Sequence, residues 1–229
     1  MFDQRSALQS PTAVLDTGIY EVICPLGHKS INIIQEQKFE ILFQIGAHAI
    51  IDGYYREGVS SFAASLERTY EFFIKTLYFS KGKKEEFKGI WKSIGNSSER
   101  QLGAFILLFG LEFSTPVPGL NKKNVEFRND VIHKGIIPTE KQAIEYGQAV
   151  LDCTRAIIEI AKKNFADAVQ QTIVDNMQSM SEKIPQSASI VYSGLGAILS
   201  IATERNQPFP TLAEELENLR SEKGRAKAL

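Results

Sequence analysis

The sequence predicts a mainly α-helical fold: an antiparallel helical bundle with a short N-terminal β-hairpin in front and a C-terminal appendage behind. Three observations carry this. From about residue 36 to 180, apolar residues recur at three- and four-residue spacing, the period of helices that bury one stripe. Before residue 36, "GIYEVICPLG" alternates weakly with a period of two, as strands do. Around "SEKIPQS" the helical period fails and returns only near the end of the chain. The division is therefore 1–35 for the hairpin extension, 36–180 for the bundle and 181–229 for the appendage and tail.

Each element has its own signal. "GIYEVICPLG" turns at Pro25, Leu26 and Gly27 and comes back as "KSINIIQ", which fits a hairpin. In the first helix Phe39, Leu42, Phe43, Ala47, Ile50 and Tyr54 fall on one face. The second is more regular, with Val59, Phe62, Ala63, Leu66, Tyr70, Phe73, Ile74 and Leu77 in sequence, and it closes at Gly82 and "KGKKEE". "EEFKGIWKSI" is a short helix ending at Gly95 and Asn96. Ser98 and Gln101 then form a capping-box pattern before "QLGAFILLFGLEF", a segment apolar nearly all round and so expected in the middle of the bundle.

"STPVPGLN" breaks that helix, and a new one begins near Asn121. Gly135 suits the position just past its end and Pro138 prevents continuation. Thr139 and Gln142 make a second capping box, opening the longest helix, where Ile144, Leu151, Ile158 and Phe165 recur every seven residues. "ASIVYSGLGAILSIATE" reads as one or two strands or as an apolar helix broken by Gly194 and Gly196. "NQPFP" is a turn, and "TLAEELENLRSEKGRAKAL" a helix fraying into a basic tail.

With 229 residues, 43% hydrophobic and 23% charged, the chain can build a real core. A formal net charge of −1 argues against a generally basic nucleic-acid coat, while a local basic patch stays open. Cys24 and Cys153 are too far apart in sequence to read as a disulfide framework. "MFDQRSALQSPTAV" lacks the basic start and apolar run of a signal peptide, and "AFILLFGLEF" is too short to span a bilayer. A cytoplasmic location with no membrane association is the expectation.

The stretch that looks chemical is "RNDVIHKG". Arg128 carries a permanent, planar fork of donors suited to phosphate. His133 can exchange a proton near neutral pH. Asn129 bonds without titrating. On a helix Asn129 and His133 share a face, whereas Arg128 and His133, five residues apart, diverge by about 140°. One copy does not easily bring them together. Asp130, one turn before His133, is placed to favour an imidazolium, and Lys122, Lys123 and Lys134 add positive charge for a substrate. The same residues also suit an ordinary helix C-terminus, where cations complement the macrodipole.

A helix carrying R-x4-H with Asn after the Arg, a Gly stop, a short link with Pro and a long amphipathic helix resembles the HEPN family (higher eukaryotes and prokaryotes nucleotide-binding). "GVSSFAASLERTYEFFIKTL" looks like that family's early helix, and the resemblance covers roughly 36 to 180. It implies a metal-independent endoribonuclease, with no cofactor, of the kind found as a toxin or effector in toxin–antitoxin and other prokaryotic defence systems. It further implies a homodimer with a composite active site, an RNA substrate and a possible antitoxin or regulatory protein. Arg128 would hold the phosphate, His133 would act as acid or base, and Asn129 would orient His133 or the substrate. A non-catalytic helical dimerisation or adaptor module, or a nucleotide-binding module, is the alternative.

Other features point less far. Cys24 and His28 have the spacing of half a zinc site, without a second pair at finger spacing. His48, among apolar residues, reads as a hydrogen-bonded core or interface histidine. Glu67 and Glu71 read as a solvated face of the second helix, although by the family resemblance Glu67 can approach the motif helix. "GLG" at 194–196 and "GKK" at 82–84 lack the rest of any nucleotide-binding loop.

Overall fold

A computed structural model describes residues 13–24, 26–202 and 208–227. In chain order the elements are β1 (Ile19–Ile23), β2 (Lys29–Ile34), α1 (Lys38–Ile51), α2 (Tyr55–Ser80), α3 (Lys84–Ile94), α4 (Ser98–Glu112), α5 (Lys122–His133), α6 (Glu140–Ser181), β3 (Ile190–Ser193) and α7 (Leu212–Lys227). The fold is mainly helical with one small three-stranded sheet. Among the described residues no helix is long and apolar enough to cross a membrane.

The chain forms two compact units, each discontinuous in sequence. The smaller joins the described residues up to Gln37 with Ile173–Gly196. Here β1 and β2 pair antiparallel, with Glu21 opposite Ile31, and β3 pairs parallel to β2, with Ile33 opposite Tyr192. The ambiguous "ASIVYSG" thus supplies a single strand, and the N-terminal strands belong to a sheet rather than to a free-standing extension. Glu36 accepts from the Leu195 backbone N–H, and Asn176 donates to Gln37. Both bonds hold the 173–196 segment to the N-terminal strands. Pro25, part of the expected turn, lies outside the described residues.

The larger unit spans Lys38–Thr172 and the described residues from Ala197 onward. Its centre is α2, which packs against α1, α3, α4 and α5. All eight residues of the predicted α2 stripe, from Val59 to Leu77, are buried. At Gly46 and Gly58 the backbones of α1 and α2 come close; a Cβ on Gly46 would sit 2.7 Å from the Phe62 ring. Tyr70, Phe73, Phe105 and Phe109 form an aromatic cluster between α2 and α4, with the Tyr70 and Phe105 rings stacked at 4.6 Å.

Three expectations are corrected here. The first concerns α4, which is not in the middle of the bundle. It buries Gln101, Phe105 and Phe109, while Leu107 is 65% and Leu111 76% exposed. Nor is its N-cap Ser98: Ser97 accepts from the Arg100 N–H at 3.4 Å. Gln101, only 2% exposed, accepts from Arg68 at 2.7 Å and donates to the Gly95 carbonyl at 2.6 Å, tying α2, α4 and the α3 terminus together. A side chain committed to two tertiary bonds is not free to reach back to a cap.

The second concerns the C-terminal segment, whose last helix belongs to the larger helical unit. Leu212 and Leu216 are fully buried, and the Leu212 side chain fills the space that a Cβ on Gly147 would need. Thr211 and Glu214 cap α7 reciprocally, at 2.7 and 3.3 Å, and Arg220 pairs with Glu140 of α6 at 2.5 Å.

The third is His48, which is exposed and bonded to Gln44 at 3.3 Å rather than buried in a core. The Thr139–Gln142 capping box does form, at 2.9 and 3.3 Å. The helix it opens departs from helical geometry at Phe165 (φ −140°, ψ 42°), where the seven-residue stripe ends, with no Pro or Gly nearby in sequence.

Candidate functional site

Helix α5 is set by its two ends. The Asn121 side chain accepts from the Asn124 N–H at 2.9 Å, and Gly135 takes φ +72°, a left-handed geometry that favours glycine just past a helix. Between those ends only Val131 is fully buried, so one narrow edge seats the helix and the polar residues stay accessible.

Arg128 and Asn129 line a cavity of about 400 Å³ bounded by α2, α4, α5, α6 and the Val117–Leu120 loop. Arg128 donates to Asn129 Oδ1 at 3.1 Å, and its other terminal nitrogen lies 3.6 Å from Glu67 Oε1. The two charged side chains keep 26% and 28% of their surface open to solvent. Glu67 therefore belongs to the cavity, and the reading of this α2 face as merely solvated is corrected for it. Glu71 turns instead to Arg68, at 2.6 Å.

His133 does not line this cavity and is exposed at the end of α5. The divergence expected from helical spacing is what the helix displays: the Arg128 side faces the cleft, and the imidazole stands outside it. Asp130, expected to favour the His133 imidazolium, pairs instead with Lys134 at 2.7 Å. That hydrogen bond is also the main reason the Lys134 pKa is raised. Lys122 is 3.7 Å from Glu126, and Lys123 is exposed. All three lysines stand on the solvent side of α5, and none lines the cavity.

Two tyrosines at the cavity were not read from sequence as site residues. Tyr146 of α6 is buried and its ring meets Phe127 at 5.7 Å. Burial pushes its phenol pKa up, opposed by the nearby Arg128 guanidinium. The guanidinium approaches Tyr146 Oη as a donor without closing a hydrogen bond of ordinary length and angle, and no acceptor takes the Oη hydrogen. Tyr70 of α2 is similarly raised, first by burial. Both occupy ordinary core positions of their helical stripes, so only the three-dimensional cavity distinguishes them.

In the smaller unit, Cys24 Sγ lies 3.5 Å from His28 Nδ1. Among the described residues no three His, Cys, Asp or Glu side chains gather as metal ligands would. No family model matches the chain, and no curated protein or solved structure matches it. The chemistry of these side chains is therefore what a functional reading rests on.

Proposed function

We propose that the protein is a metal-independent endoribonuclease of HEPN-like type, acting as a homodimer whose active sites draw residues from two copies. The observation that supports this is the split presentation of α5. Arg128 and Asn129, bonded to each other, open onto a cleft, while His133 stands exposed outside it. A second copy that brings its own α5 alongside supplies the imidazole missing from the Arg128 face.

In the reaction, an RNA 2′-hydroxyl gives up its proton to His133 and attacks the adjacent phosphorus. The P–O5′ bond breaks and a proton is returned to O5′, leaving a 2′,3′-cyclic phosphate and a 5′-hydroxyl. Arg128 offsets the charge that builds on the non-bridging oxygens, and Asn129 fixes the guanidinium. Lys123 is a solvent-facing cation for flanking phosphates, and Lys122 and Lys134 stand exposed beside it in surface ion pairs with Glu126 and Asp130 that a phosphate would compete with. The nucleophile belongs to the substrate, so the scheme needs no metal-activated water. A toxin or defence effector held in check by an antitoxin is the setting this activity fits.

The experiment is cleavage of RNA in EDTA by wild type, Arg128→Ala and His133→Ala. Each variant is expected to lose activity while keeping its circular dichroism spectrum. Cleavage that persists in both folded variants overturns the mechanism.

The Arg128–Glu67 ion pair favours a second reading, a non-catalytic nucleotide-binding or dimerisation module, because part of the guanidinium charge is already answered within the chain. That reading expects no cleavage by wild type and a change in dimer strength in His133→Ala.

A further inference from the structure

The cleft contains a buried polar atom that the phosphate chemistry leaves unused. Tyr146 is 1% exposed and lines the cavity; the Arg128 guanidinium approaches its Oη as a donor, and no acceptor takes the Oη hydrogen. A hydroxyl hydrogen buried without an acceptor is costly, and at a cavity wall it marks where a ligand acceptor completes the structure. Glu67 lines the same cavity. Its 3.6 Å approach to Arg128 is an ion pair too long for a hydrogen bond, which leaves carboxylate lone pairs for N–H donors from a ligand. Much of the remaining lining is apolar, with Leu66, Tyr70, Leu102 and Ile106 prominent. A volume of about 400 Å³ is in the range that holds a small ligand.

The ligand such a site asks for is flat and apolar in body. Along one edge it should present N–H donors to a carboxylate and, beside them, an acceptor to a hydroxyl. If the chain acts on RNA, the candidates are the four bases, and their edges differ. Guanine carries two adjacent N–H donors, N1–H and N2–H, next to the O6 carbonyl. Uracil offers one N–H between two carbonyls. Adenine and cytosine offer one amino group beside a bare ring nitrogen, which would face the second carboxylate oxygen unpaired.

We infer that the cleft between α2, α4, α5 and α6 is a guanine pocket, in which Glu67 accepts from N1–H and N2–H and Tyr146 Oη donates to O6. Arg128 orients the Glu67 carboxylate from one side while its fork remains next to the site of phosphate binding. The pocket rests on the ribonuclease reading for the identity of the larger substrate, and it places cleavage next to guanine.

The test is calorimetric titration of the full chain with GMP, AMP, CMP and UMP, none of which contains a cleavable phosphodiester. GMP is expected to bind about tenfold or more tightly than the other three. Tyr146→Phe keeps the ring and removes only Oη, and it should weaken GMP about fivefold or more with little effect on AMP. Glu67→Gln should weaken GMP about tenfold; if it does not fold, Tyr146→Phe carries the test. No binding of any monophosphate at millimolar concentration, equal binding of all four, or wild-type GMP affinity in both folded variants overturns the pocket. The two readings fail separately. GMP binding without RNA cleavage keeps the pocket and removes the ribonuclease, whereas His133-dependent cleavage indifferent to the base does the reverse.

Discussion

Replacing Gln101 with Ala probes the junction that holds the α4 wall of the cleft in place. The side chain is buried, accepts from the Arg68 guanidinium at 2.7 Å and donates to the Gly95 carbonyl at 2.6 Å. The bond to a charged donor contributes about 1.5–3 kcal/mol and the neutral one about 0.5–1.5 kcal/mol. Arg68 keeps Glu71 as a partner and is 26% exposed, so water can reach it and the lower part of the first range applies. The expected loss is therefore about 2–3 kcal/mol, or a fall in Tm of roughly 4–12 °C for a chain of this size. Urea unfolding followed by circular dichroism measures it. Ser97→Ala should cost about 1 kcal/mol as a lost N-cap, and Ser98→Ala less than about 0.5 kcal/mol. A Gln101→Ala loss below about 1 kcal/mol, or a larger loss in Ser98→Ala than in Ser97→Ala, refutes this assignment of the two roles.

Two further predictions concern stability. Leu107→Gln and Leu111→Gln, on the exposed face of α4, should each change unfolding free energy by less than about 0.5 kcal/mol at a protein concentration that keeps the chain monomeric, because neither side chain is in the core. Burial pushes the Cys153 thiol from its usual value near 9 up to about 12 and also raises the Tyr70 and Tyr146 phenols. The folded chain holds these protons more tightly than the unfolded one. Stability is therefore full below pH 9 and falls as pH rises towards 12. Each group that titrates only when unfolded adds up to about 1.4 kcal/mol per pH unit to the slope. Urea midpoints across pH 8–11 should show the decline, and Cys153→Ala should flatten part of it.

Much of the helical framework was legible because a periodic stripe reports burial directly. Every residue of the α2 stripe is in the core, and the Thr139–Gln142 box caps α6. What failed was any inference from composition without period. The α4 segment is apolar all round, and only its Phe105–Phe109 edge meets the aromatic cluster; Leu107 and Leu111 face outward. Gln101 misled because a capping pattern and a tertiary hydrogen-bonding role look the same in sequence. Long-range closure was invisible for the same reason. Nothing local in "IVYS" says that it pairs with β2, or that Leu212 fits over Gly147. At the candidate site the divergence of Arg128 and His133 followed from helix geometry alone. Tyr146 did not, since a tyrosine in an apolar stripe reveals that its hydroxyl hydrogen lacks an acceptor only once the cleft is assembled.

The two-copy site is tested most directly by mixing two inactive variants. Arg128→Ala and His133→Ala proteins are co-refolded and assayed for RNA cleavage in EDTA. If Arg128 of one copy works with His133 of the other, each mixed dimer regains one intact site, and random pairing restores about a quarter of wild-type activity. If both residues of a site come from the same chain, every copy in the mixture is defective and no activity returns, which would contradict the composite site.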